Sequence, residues 1–511
     1  MSNYRTLLNS KKQEIQSNYL AKSYIQAQYK EQEGFIESLN IFYKKKYPLN
    51  HGGKDINLFR LFVERNLWLL SKDASLNYVL PSALMLEEGS YALRKEILEN
   101  KKLMFFYGFE NREGIFRDVD SRYKFALMQV LNTSLIESDN TPHTIKTMFY
   151  KTDIESAYDP KNILYTSLQD IRALSPKQLA LQEVRDAKDL AILAKCYKAY
   201  APLSLEWLDF KQDLNMTTDK DLFRESYSDG LLPLYEGKMI HQFCAEFSEA
   251  KYFLDSKAFD KRLRSKEIHR LKQDLGLNSK EYERLLESML EGKESKMTKE
   301  ELEDSIIRYD REFFRLGFRD VARDTDERTA IFSLIPKNVG CGNTLWASIP
   351  KKYVLDSKNA VTAQSMSYKR ILFALGICNS LVVDYIARGM VQIHLNKTYI
   401  VRIPLPQPSD EELESNASYK EIYTTALLLQ LYNDKAGHFK ELQSAFGIDK
   451  AQIPSTQKAY DTLRARLDIQ IAKLYGLDKE DLCAMLESFK VLAKNQPHYI
   501  TLLKSLWENG L

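Results

Sequence analysis

Lys238, His241 and Gln242 stand just past a stretch, Leu231-Leu-Pro-Leu-Tyr-Glu-Gly237, that Pro233 and Gly237 keep from being helical. All three side chains can donate hydrogen bonds, and a shaped loop would present them together. Further donors follow at Arg319, Arg323 and Arg328, then at Asn343, Arg388, His394 and Lys397. Arg and Lys neutralise phosphates, whereas Arg, Asn, Gln and His match the edges of bases. An arginine fork on guanine discriminates by about 1–3 kcal/mol. Nucleic-acid recognition is the chemistry this set offers. The same residues admit a plainer reading. Arg319 and Arg328 lie among Asp320, Asp324, Asp326 and Glu327, so ion pairs that shape a loop are the alternative. Tyr235 can stack on a base or pack as an ordinary tyrosine. Asn379 can cap a helix or pack instead of reading a base.

Residues for covalent or metal chemistry are not grouped in this way. A magnesium-dependent nuclease needs an Asp followed by Glu-x-Lys. Glu249-Ala-Lys251 and Glu294-Ser-Lys296 match the tripeptide, but both fall in charged stretches read as helical, where it arises by chance. The run Glu281–Glu303 reads as a solvated face. Cys196, Cys244, Cys341, Cys378 and Cys483 include no Cys-x-x-Cys pair. Neither a zinc cluster nor a disulfide framework is expected, and a reducing cytoplasm fits. Gly340-Cys-Gly-Asn343 superficially resembles a cofactor turn, a pattern common by chance. No Pro-Pro dipeptide occurs.

The elements that must position these residues are legible in part. A chain of 511 residues suggests about three domains of ~150 residues. A hydrophobic fraction of 44% supports buried cores, and a net charge of only +3 means that any DNA contact needs a local basic surface. The polar start and the lack of an 18-residue apolar run predict no membrane partner. The spacing predicts a turn at Gly52-Gly53, helices over 56–70 and 87–100, and strands over 76–80, 103–109 and 125–130. A helix is predicted over 181–200, and helices broken near Gly276 and Gly292 over 255–312. Strands are predicted over 330–335, 353–355 and 398–403, with one apolar helix over 371–386. After the Pro-rich 404–408, the rest reads as wholly helical.

Gly108–Ala126, Leu214–Phe223, Leu231–Phe243, Phe318-Arg-Asp-Val-Ala322 with Glu327-Arg-Thr329, Asn379–Arg388 and Leu467–Leu482 form an ordered series of tracts. The series resembles type IIG restriction–modification enzymes and their relatives among adenine-specific DNA methyltransferases, over nearly the whole chain. The resemblance implies an α/β fold: the distal half of a methyltransferase-like sheet at 1–135, a helical connector at 136–230, a target-recognition domain at 231–408 with a helical insertion near 255–312, and a helical region at 409–511. A half-sheet alone would leave an open apolar edge.

The family's chemistry needs a glycine-rich turn for S-adenosylmethionine and an Asn/Asp-Pro-Pro-Tyr/Phe/Trp tetrapeptide for the flipped adenine. Neither is found. Asn495-Gln-Pro-His-Tyr499 lacks the second proline, and Gly340–Asn343 falls where the family has a recognition-region turn. The stretch Gln392-Ile393-His394 departs from the family's pattern. The resemblance therefore implies a chain without catalytic residues of its own, inactive alone, that recognises double-stranded DNA at Tyr235, Lys238, His241, Gln242, Arg319, Arg323, Arg328, Asn343, Arg388, His394 and Lys397. By the resemblance, Met1 is expected to begin just downstream of where the catalytic tetrapeptide would end. S-adenosylmethionine, and magnesium for cleavage, are expected only in the complete enzyme. The alternative is a subunit that completes an active methyltransferase or restriction enzyme with a separate front half. A phage-defence protein on the same recognition fold is a third reading.

Overall fold

The computed structural model describes residues 9–50, 56–121, 123–133, 143–291, 297–323, 326–357, 360–391 and 394–510. The predicted turn at Gly52-Gly53, the break at Gly292 and the tripeptide Glu294-Ser-Lys296 lie outside them. The fold is mixed α/β, and the chain divides into compact units at 1–187 and 188–511.

The first unit is built on strands β1 (Ser75–Pro81), β2 (Lys102–Glu110), β3 (Lys124–Leu131), β4 (Thr144–Lys151) and β5 (Leu164–Ser167), in the order β1-β3-β2-β4-β5. β3 runs antiparallel to both β1 and β2, while β2 and β4 are parallel. The apolar run of β2 suits a central strand covered on both faces. Phe106 packs with Met128, Val130, Ile145 and Phe149 on one side of the sheet, over Leu84, Met85, Leu93 and Ile97. Tyr107, Phe109 and Met148 form a smaller cluster. Arg94 is fully buried. Its guanidinium donates to the carbonyls of Leu84, Glu87 and Gln178, so a buried charge is met by carbonyl dipoles.

The second unit holds β6 (Phe210–Lys211), β7 (Phe223–Arg224), β8 (Leu231–Tyr235), β9 (Tyr252–Asp255), β10 (Arg315–Arg319), β11 (Phe332–Ile335), β12 (Gly340–Cys341), β13 (Leu345–Ser348), β14 (Lys351–Leu355) and β15 (Val361–Ser365). They form sheets β11-β10-β13-β6 and β12-β8-β9-β7 and a hairpin β14-β15. Helices Ser256–Asp274, Ser279–Glu291 and Lys299–Ile306 lie between β9 and β10. Leu271, Tyr282, Leu286, Leu302 and Tyr353 form their core. A buried ion cluster fastens them to the strands. Lys351 Nζ lies 2.9 Å from Glu267 and 2.5 Å from Asp310, and Arg270 and Lys211 reach the same Asp310 at 2.7 and 2.6 Å. Burial opposes ionisation of Asp310, but Lys211, Lys351 and Arg270 outweigh it and hold the carboxyl well below the usual range. Among the described residues from Asp410 onward, helices and turns occur and no strand does.

Several sequence expectations are corrected. The expected helix 371–386 is two helices, Tyr368–Cys378 and Leu381–Arg388, bent by 62° at Asn379-Ser380. Both are buried, and among the described residues no single helix is long and apolar enough to cross a membrane. The expected strand 398–403 is a short helix, Lys397–Ile400, capped by Asn396. The helix read over 181–200 spans Ala187–Ala199, and 87–100 is a chain of short helical turns. The connector 136–230 is not all helical. It carries β4 to β7, and the division between the units falls inside it. Glu249-Ala-Lys251 precedes β9 outside any helix.

Candidate nucleic-acid interface

The loop after β8 is shaped by one close approach. The Gly237 amide donates to Thr344 Oγ1 at 3.0 Å, and a Cβ at Gly237 would lie 2.4 Å from the Thr344 carbonyl oxygen. Only glycine fits there. Arg319, the last residue of β10, locks the loop: its guanidinium donates to the carbonyls of Gly237 and Ile240. Arg319 also lies over the ring of Phe247, 6.0 Å from its centroid, and the His241 ring lies tilted against the same ring at 4.9 Å. Burial pushes the His241 imidazole down to about 4, with the Arg319 charge adding to it. Phe247 itself is 58% exposed.

The residue just after β10, Asp320, has its own partners. Asp320 Oδ1 accepts from the indole Nε1 of Trp346 at 2.8 Å, and Oδ2 lies 2.7 Å from Nδ1 of His394. The Leu395 amide donates to the Asp320 carbonyl, and Val321 bridges His394. Lys397 pairs with Asp209 just before β6, and Lys238 with Glu236 at 2.9 Å. Lys238 and Phe247 thus lie by the loop that Arg319 holds, and Trp346 and His394 are held by the adjoining Asp320.

The other expected site residues lie inside. Tyr235 is buried, and burial raises its hydroxyl. Buried Gln242 donates to the carbonyls of Ala330 and Asn379 at 2.7 and 3.2 Å. Asp384 gathers Arg328 at 2.6 Å and Arg388 at 3.0 Å, all three buried. Arg388 also donates to the carbonyls of Asp326 and Glu327. Asn343 is half-buried, and its side chain accepts from the Met216 amide. These groups hold the framework, and direct base contact is not open to Gln242, Arg328 or Arg388. Arg319 is a clamp, so for it and Arg328 the plainer reading describes the geometry. Asn379 exchanges two hydrogen bonds with the backbone of Phe332 and is likewise internal. Lys238, Arg323, His394 and Lys397 keep exposed or partly exposed side chains.

Sequence reasoning missed Phe247, Trp346 and Asp320. An aromatic near the Gly237 loop was a visible signal, but its exposure was not. Asp320 was read only as a partner for arginine.

The turn Gly340–Asn343 does not fit S-adenosylmethionine. A Cβ at Gly340 would meet Leu254 Cδ1 at 2.6 Å, and one at Gly342 would meet the sulfur of Met216 at 2.7 Å. Protein side chains fill the space a cofactor would need. Cys341 is buried, which pushes its thiol up to about 12. Among the described residues no group of His, Cys, Asp and Glu is arranged to hold a metal ion.

The family model of the Eco57I restriction-modification methylase matches residues 23–116. Over that segment the resemblance to restriction–modification methyltransferases holds. No curated protein matches the chain. Among solved structures, the chain is similar to the type IIL restriction-modification enzyme MmeI in complex with DNA, at 11% identity and TM-score 0.43, covering 86% of this chain and 53% of that one. It is similar to the type IIG restriction endonuclease BpuSI at 11% identity and TM-score 0.28, covering 84% and 50%. A third similarity is to the DrdV–DNA complex, at 9% identity and TM-score 0.35, covering 78% and 42%. The chain thus spans about half the length of the solved structures it matches, or less.

Proposed function

We propose that this chain is the DNA-binding, target-recognition part of a type IIG-like restriction–modification adenine methyltransferase. The observation that carries the reading is the clamp of Arg319 on the Gly237 loop. It places Lys238 and Phe247 beside the end of β10, from which Asp320 sets out Trp346 and His394. A rigid scaffold that displays a cation, an exposed aromatic and an exposed histidine is what base readout requires. The methylase match at 23–116 supports the family, and the missing adenine-holding tetrapeptide argues for recognition without catalysis. S-adenosylmethionine, and magnesium for cleavage, then belong to the part of the enzyme that carries those motifs. Titration of the chain with duplex DNA tests the reading. Site-selective binding supports it, and no preference among sequences overturns it.

A second reading, a subunit that completes an active enzyme, has its own support. β1 is an edge strand paired only with β3 among the described residues. The helix Ser23–Lys46 buries no residue, and Phe35, Ile36, Ile41 and Phe42 on it are exposed. An open edge and apolar side chains exposed on a helix invite a partner that continues the sheet. Co-expression with a polypeptide that bears the cofactor turn and the Asn-Pro-Pro tetrapeptide tests this. A stable complex supports it, and failure to co-purify counts against it.

A further inference from the structure

We infer that Asp320 is a positioning residue that sets the hydrogen-bonding sense of His394, and that His394 Nε2 accepts from the amino group of an adenine or a cytosine in the major groove. The inference rests on the DNA-recognition reading and adds to it the chemical group that is read. The argument is one of donors and acceptors. A carboxylate only accepts, and an indole N–H only donates. Trp346 Nε1 occupies Asp320 Oδ1 at 2.8 Å. Oδ2 faces His394 Nδ1 at 2.7 Å, so Nδ1 must carry the hydrogen. In its neutral form the ring then has a bare nitrogen at Nε2, on the side away from Asp320. The His394 side chain is 56% exposed while that of Asp320 is 13% exposed, so the anchor is sheltered and the reading atom faces out.

The anchor is rigid at every polar atom. The Asp320 amide donates to the Thr344 carbonyl at 2.9 Å, its carbonyl accepts from Leu395, and both carboxylate oxygens are engaged. Trp346 in turn stacks on Phe318, with ring planes 6° apart. In the major groove adenine N6 and cytosine N4 are the exocyclic donors, and guanine O6 and thymine O4 take their places as acceptors. A fixed acceptor at Nε2 therefore selects an amino-bearing base over its keto counterpart.

The test uses the full chain and a library of randomised duplexes at mildly alkaline pH, with sequencing of the bound fraction and thermal melting of every variant. For the unaltered protein, one motif position should favour adenine or cytosine. His394→Ala should flatten that position by about fivefold or more, the least cost of a mismatched pair, and leave the rest of the motif unchanged. Asp320→Asn should invert it. The Trp346 N–H needs an acceptor, so the amide oxygen stays on Trp346 and its NH2 turns to His394. Nδ1 must then accept, and Nε2 becomes the donor. Preference should move from adenine to guanine, or from cytosine to thymine. Should Asp320→Asn melt early, His394→Lys decides, because an exposed obligate donor should produce the same shift. A motif unchanged in His394→Ala overturns the inference, as does an unshifted preference in a folded Asp320→Asn or in His394→Lys. A library from which the unaltered chain selects no motif is a separate outcome, because it removes the DNA-recognition reading itself.

Discussion

Cations of the second unit divide into exposed groups and buried framework, and burial makes the division. Arg328 and Arg388 share Asp384 in the interior. Removing one partner of a buried pair leaves an uncompensated charge and costs about 3–5 kcal/mol. Arg328→Ala should therefore lower the denaturation midpoint sharply. Lys238→Gln, at an exposed pair, should leave the midpoint within about 0.5 kcal/mol and weaken DNA binding. Denaturant melts and DNA titrations on the same samples decide. An Arg328→Ala protein of normal stability would mean that Asp384 does not depend on it. His241 gives a pH signature. Its native pKa, about 4, lies below the ordinary histidine value, so the unfolded chain binds the proton first. The resulting stability is present above about pH 6.5 and is lost as pH falls through about 4, by roughly 3 kcal/mol in all. His241→Gln should remove this part of the acid dependence. An identical pH profile in that variant would refute the assignment.

At the scale of elements, the break at Asn379-Ser380 shows what a sequence hides. Apolar spacing alone makes 371–386 one helix. The chain bends because Asn379 turns its amide onto the backbone of Phe332 at 2.9 and 3.0 Å, a partner 47 residues away. Ser380 then caps the second helix by accepting from the Val383 amide. Asn379→Ala leaves a buried amide and carbonyl unpaired and should cost about 2–4 kcal/mol. Calorimetry can read this, and a loss below about 1 kcal/mol would place the cause of the bend elsewhere. Core strands were legible because their periods are local: β1, β2 and β3 fall within a residue or two of expectation. Residues 398–403 were not, since Tyr399, Ile400 and Val401 favour strand by type while Asn396 caps a helix. Of the candidate site residues, Lys238 and His394 are exposed as a contact would need, but Gln242 and Arg388 of similar type are spent on buried carbonyls and, for Arg388, on Asp384. Only long-range contacts tell these cases apart.

At the scale of the molecule, charge and the missing motifs set the expected behaviour with DNA. A net charge of +3 offers little long-range attraction, so binding must come from local cations such as Lys238, Arg323 and Lys397. Contacts of that order give a log–log salt slope of about −3, far shallower than that of a strongly basic binder. Affinity that does not change with salt would point to a protein partner instead of phosphate. The same reasoning bears on methyl transfer. Adenine chemistry requires the base to leave the stack and enter a pocket that reads it. This chain has no Pro-Pro dipeptide to form the adenine-holding tetrapeptide, and its one glycine turn of the right appearance is filled by Leu254, Phe259 and Met216. The chain alone should therefore move no labelled methyl group from S-adenosylmethionine to DNA, even at concentrations that saturate binding. Label on the DNA clearly above a no-protein control would show that an adenine pocket exists elsewhere in the chain.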